Sequence, residues 1–197
     1  PTTGAELSAV AWLPEMPFLG ASAKVSMLSY VAEWPSAVEG GAATAINDFV
    51  PVVQGALAGR YAFSEGALNL YAAGKIGFQY SDFMRYTWAG QAGTQTTVQY
   101  KALAAQGLTL GAEIGGDAMG GDLFFSAGFT EGFIGTAPYS STVDLEAGYA
   151  FLPNVFGSLG FNLFTRSITL SDSASGFELG ELSDNGWSLT ASAGYQY

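Results

Sequence analysis

The sequence predicts an all-β protein: one closed antiparallel β-barrel of about ten strands that crosses a membrane, with eight strands as the alternative count. Three observations carry that expectation. Apolar side chains recur at every second position through most of the chain, the period of a strand that faces two different environments. Cations stand mid-run on the polar side of the alternation, and aromatics stand near the ends of the runs.

Composition sets the bounds. At 197 residues the chain has the size of one domain, residues 1–197, and although 49% apolar it has no run of about 18 apolar residues that would form a spanning helix. No basic segment followed by an apolar one opens the sequence, so it reads as a mature form whose targeting segment has been removed. The net charge of −11 has the wrong sign for a partner whose phosphates need neutralising, so nucleic acid is excluded. Cys and His are both absent, which removes the thiolate nucleophile, the imidazole base, the disulfide and the ordinary zinc site. Accordingly no catalytic residue, metal or cofactor is predicted.

Ala5 to Leu13 places Ala5, Leu7, Ala9, Ala11 and Leu13 on one face before a Pro14-Glu15-Met16-Pro17 turn, which suits a strand; a helix is the other reading of this segment. Residues 18–30 set Leu19, Ala21, Ala23, Val25 and Met27 against Lys24, and 51–63 repeat the pattern with Arg60 on the polar side. In 67–80, Leu68, Leu70, Ala72, Ile76, Phe78 and Tyr80 oppose Asn69, Tyr71, Lys75 and Gln79. Two strands follow, 94–104 with Lys101 on the polar side and 108–115 with Glu113 there. After 122–133, residues 139–152 oppose Tyr139, Val143, Leu145, Ala147, Tyr149 and Phe151 to Asp144 and Glu146. Residues 155–169 set Val155, Leu159, Phe161 and Leu163 against Ser158, Asn162 and Arg166, with Phe156 and Phe164 as exceptions on the polar face. The last run, 186–197, alternates Trp187, Leu189, Ala191, Ala193, Tyr195 and Tyr197 with small polar residues.

Short hairpin turns are expected at Ser64-Glu65-Gly66, Ala105-Gln106-Gly107 and Leu152-Pro153-Asn154, and longer intervals at 33–48, 81–93 and 171–185. Ten strands carry an awkward consequence. Counting back from the C-terminus puts 33–48 and 81–93 at the end opposite 171–185, where turns should be short. The eight-strand alternative leaves residues 1–17 as a tail or plug and merges or demotes one later segment.

Five of the six cations, Lys24, Arg60, Lys75, Lys101 and Arg166, lie on the polar faces with the acids Glu113, Asp144 and Glu146. In a narrow barrel such groups can pair and hydrogen-bond into a polar interior, with lipid replacing water outside. Asp144 and Glu146 stand two apart, about 7 Å along one strand face, and are expected to answer Lys or Arg on neighbouring strands. The remaining acids fall in loops and strand ends, which describes acidic rims. Tyr80, Trp88, Tyr139, Tyr149, Phe151, Trp187 and Tyr197 are placed where interfacial girdles belong. Gly115 to Asp122 reads as a hairpin turn more simply than as a calcium loop, and the acidic stretch 171–185 as a solvated face. A water-soluble β-sandwich would also charge one face, but it would fill the other with dense Val and Ile and use cations in its loops.

The C-terminal run, apolar at alternate positions and finishing on an aromatic, resembles the assembly signal of bacterial outer-membrane β-barrel proteins. The resemblance is at the level of the superfamily of small barrels and covers most of the chain through alternation. It implies residence in a Gram-negative outer membrane, contact with outer-membrane lipid, delivery by periplasmic chaperones and insertion by the barrel-assembly machinery. It also implies a C-terminus at the periplasmic side. Barrel enzymes of this kind use a His that the chain lacks. The function expected is therefore a structural or interaction role, as an anchor or assembly partner of another envelope protein. A narrow, porin-like channel for small solutes is the alternative, and a soluble sandwich binding module the second.

Overall fold

The computed structural model describes residues 4–34, 44–64, 66–90, 96–135, 137–171 and 178–195. Nine strands run in chain order: β1 Gly4–Leu13, β2 Met16–Trp34, β3 Thr44–Ser64, β4 Leu68–Gly90, β5 Thr96–Ala118, β6 Leu123–Ile134, β7 Ala137–Leu152, β8 Val155–Ser171 and β9 Glu178–Tyr195. Each pairs antiparallel with the next, so sequence order is spatial order in a single sheet. The sheet curls as an open half-barrel.

Two expectations are corrected here. The barrel is not closed among the described residues, because no ladder joins β1 to β9. The strand count is nine, because 94–104 and 108–115 are one strand. Ala105, Gln106 and Gly107 do not turn; they pair with Ser81, Tyr80 and Gln79 of β4, which runs on unbroken to Gly90. A long partner strand offers the ladder a place for every backbone group, and a turn there would leave them unpaired. Gly107 is small for another reason. A Cβ on it would collide with the Phe133 carbonyl at the end of β6. The N-terminal segment is neither helix nor tail, since Gly4 to Leu13 lie in register with β2. Of the eight-strand alternative, only the merging of two segments survives.

Losing one turn reverses the direction of every strand before residue 105 relative to the C-terminus. The short connections Pro14–Glu15, 65–67, 119–122 and Pro153–Asn154 now share one end of the sheet, and 35–43, 91–95, 135–136 and 172–177 share the other. The longer intervals shrink as well: Glu178 to Asn185 of the expected acidic loop are strand, with Asn185 opposite Thr165 and Glu178 opposite Ser171. Gly115 to Asp122 does form a hairpin, β5 passing through the one-turn helix Met119–Gly121 into β6. Gly120 and Gly121 adopt φ of 74° and 99°, a region open to glycine without strain.

The sheet is one layer thick, which decides its energetics. A folded monomer of 20.4 kDa exposes about 8,800 Å² by the usual mass scaling, whereas this chain exposes 13,105 Å². The two-layered architecture of a sandwich, in which one sheet covers the apolar face of another, is absent among the described residues. The buried apolar set comprises Val50, Ala58, Ala73, Ala105 and Tyr139.

Candidate functional site

The two faces of the sheet have exchanged the chemistry of a water-soluble protein. On the convex face large apolar groups are open: Leu7 is 77% exposed, Leu189 72%, Leu159 71% and Leu57 66%. On the concave face polar residues are covered, with Ser26, Gln79, Ser81, Thr109, Ser140, Ser158 and Arg166 all buried. The ladder register aligns the convex residues in rows. One row crosses from Leu57 through Ile76 to Leu110, and another from Phe129 through Val143 and Leu163 to Trp187. On β4 the apolar run from Leu68 to Tyr80 extends about 40 Å along the strand, or about 28 Å in height at the 45° tilt of a barrel strand. Asp82 ends it, accepting a 2.8 Å hydrogen bond from the Tyr80 hydroxyl. Across β6 to β9 the row Glu131, Ser141, Thr165 and Asn185 marks the same transition, and Ser141 donates to Glu131 at 2.9 Å.

Aromatics stand at both margins. Trp187, 65% exposed and 6.4 Å from the Phe161 ring, sits below the polar row. Tyr149, Phe151 and Tyr195 are exposed at the short-turn end, where the Asn154 amide donates to the Tyr195 hydroxyl at 3.1 Å. The Trp88 side chain and Tyr197 lie outside the described residues. Tyr139 departs from the expected girdle: it is buried, 4% exposed. A bulge causes this. Gly132 opposes Ser140 and Phe133 opposes Pro138, so Tyr139 is skipped by the ladder and turns to the concave side. The β5–β6 ladder starts only at Leu108, and above it Tyr139 packs on Ala105 with Ile168 against them, its hydroxyl donating to the Gln79 carbonyl.

The concave face carries the ionic groups, matched between adjacent strands. Lys24 meets Glu6 of β1 at 3.0 Å. Lys75 of β4 is paired with Glu113 of β5, whose other oxygen accepts a 2.8 Å hydrogen bond from Tyr71. Asn69 donates to Asp117 at 2.8 Å. Arg60 Nε donates to the Pro17 carbonyl at 2.8 Å while its guanidinium lies 4.1 Å from the Trp12 ring centre. Arg166 lies over the Phe164 ring at 5.3 Å. The expectation that Asp144 and Glu146 answer cations is corrected: Asn162 donates to Asp144 at 2.5 Å and Ser158 to Glu146 at 2.6 Å, both from β8. Neutral donors suffice because β8 places the Asn162 amide opposite Asp144 and the Ser158 hydroxyl diagonally from Glu146, whose opposite residue is Gly160, and the register brings no cation there. The Lys101 side chain lies outside the described residues.

A feature that sequence reading missed ties this face together. Trp12 opposes Gly20, Tyr71 opposes Gly115, Phe124 opposes Gly148, Phe164 opposes Gly186 and Phe156 opposes Gly194. In each pair the ring occupies the space a Cβ on the glycine would need, at 2.6 Å for Gly20 and 2.9 Å for Gly186. Rings thus reach over the bare backbone of the neighbouring strand, in space that a side chain there would fill. Phe124 and Phe156 also meet edge to face at 5.4 Å. The signal was present in the sequence as aromatics breaking the polar face, but only the register reveals a glycine opposite each.

No family model, curated protein or solved structure matches this chain. Among the described residues no helix is long and apolar enough to cross a membrane, a statement that does not concern strands, and no cluster of carboxylates could hold a metal ion.

Proposed function

We propose that the convex face meets membrane hydrocarbon and that the chain is an integral β-barrel of a Gram-negative outer membrane. The observation that carries this is the exchange of chemistry between the two faces: rows of exposed Leu, Ile and Phe outside, buried and paired polar groups inside. The height of the apolar band fits the roughly 25 Å outward band of such barrels, and the three longest connections, 35–43, 91–95 and 172–177, share one end as long loops do there. In this reading the short-turn end is periplasmic, lipid is the principal partner, and insertion depends on the barrel-assembly machinery.

Within that setting we assign a structural role, anchoring or assembling with another envelope protein. Its support is the concave face, where acids and cations are taken up by neighbours on adjacent strands and rings cover the backbone. No catalytic step is assigned to a chain without His or Cys. The test is the full chain purified in detergent and reconstituted. Heat-modifiable gel migration and flotation with vesicles are expected, together with silent planar bilayers. Discrete, reproducible conductance steps would replace the anchor by a narrow channel, and a chain that stays monomeric in plain buffer would remove the membrane.

A further inference from the structure

Nine strands alternating in direction leave β1 and β9 running the same way, each with one edge of its backbone unpaired among the described residues. Hydrocarbon offers neither donor nor acceptor to such an edge, so within a membrane it has to find a strand. We propose that the sheet closes on itself through a parallel seam between β1 and β9 of the same chain, giving an odd-stranded barrel. The inference rests on the membrane reading above.

The two edge strands agree in direction and facing over ten residues. The final ten residues of β9, Gly186 to Tyr195, match the ten of β1, Gly4 to Leu13, and both strands end at the short-turn side. Both present the same two faces in the same sense. Leu7, Ala9, Ala11 and Leu13 continue the convex apolar surface that Trp187, Leu189, Ala191, Ala193 and Tyr195 end, while Ser8, Val10 and Trp12 share the concave side with Ser188, Thr190, Ser192 and Gly194. β1 is exposed along its length apart from half-buried Trp12, the state of a strand with one neighbour in place of two.

The chain has no Cys, so introduced cysteines report alone. In the reconstituted full chain, Ser8→Cys and Val10→Cys are each combined with Ser188→Cys, Thr190→Cys or Ser192→Cys and oxidised mildly; a bond forms only where Cα atoms come within about 7 Å. Ala9→Cys with Ala23→Cys, opposite each other in the β1–β2 ladder, is the positive control. The expected result is a monomeric band shifted by an internal disulfide that reductant removes. Its best partner should move two residues toward the C-terminus when Ser8 is exchanged for Val10, the sense of a parallel pair. Bonds between two copies, or a partner moving the opposite way, overturn the seam. So does the lack of any β1–β9 bond in a chain that forms the control bond and still shows heat-modifiable migration, and in that case the membrane reading stands. A chain that remains in solution without detergent overturns the membrane reading and the seam together.

Discussion

Tyr71 and Gly115 face each other across the β4–β5 ladder, and the phenol oxygen lies 2.5 Å from where a Cβ on Gly115 would be. The same hydroxyl donates to Glu113, which also receives Lys75, so one glycine makes room for the ring that reaches the interior ion pair. Packing and electrostatics are coupled at this point.

The coupling predicts that Gly115→Val destabilises the folded protein by about 1–3 kcal/mol, through overpacking of a filled site. Urea unfolding in vesicles followed by Trp fluorescence measures it. Tyr71→Ala combined with Gly115→Val should recover part of the loss, because the ring is gone while the Phe125 carbonyl, 2.8 Å from the same point, remains. An additive double variant would mean that the ring and the glycine do not share that space.

Lys75→Leu removes the cation from Glu113, leaving a half-buried carboxylate with Tyr71 as its remaining partner. A loss of about 1–3 kcal/mol is expected, below the range for fully buried pairs because Lys75 keeps a third of its side chain accessible. Lys75→Leu with Glu113→Leu should be more stable than Lys75→Leu alone.

Ile76, 54% exposed, stands in the middle of the convex band, and Leu68, 43% exposed, at its short-turn margin. In water both positions would accept Arg at little cost. In a bilayer Ile76→Arg is expected to cost about 2–4 kcal/mol and Leu68→Arg about 0–1, read as the folded fraction after refolding into vesicles. Equal tolerance at the two depths would contradict the assignment of the convex face to lipid.

Gly107 separates a continuous β5 from the hairpin suggested by the sequence. In a turn, Gly107→Ala would be nearly neutral; against the Phe133 carbonyl it should destabilise by about 1–3 kcal/mol. A spin label at Gln106, paired with one at Tyr80 across the ladder, should report a neighbouring-strand separation and not a chain reversal.

Much of the fold is legible locally. A period of two survives any tertiary arrangement, because successive side chains on a strand point to opposite faces, so Leu68 to Tyr80, Val143 to Phe151 and Trp187 to Tyr195 could be assigned to one side from the chain alone. Partner choice is not local. Lys24 meets Glu6, and Asp144 meets Asn162, because of register, which depends on where each hairpin turns. Ala105-Gln106-Gly107 has turn composition and still runs as strand, since β4 continues beside it.

The sequence by itself determined the class of structure, the sorting of its side chains into an oily and a polar set, and the absence of Cys and His chemistry. Only the tertiary structure decided that there are nine strands, that the sheet stands open between β1 and β9, that the long connections share one end, and that Tyr139 turns inward at a bulge. The physical reason is that side-chain alternation is written residue by residue, whereas a ladder is a property of two segments at once. Whether a Gly or a Gln turns or pairs is settled by the backbone groups that lie opposite it.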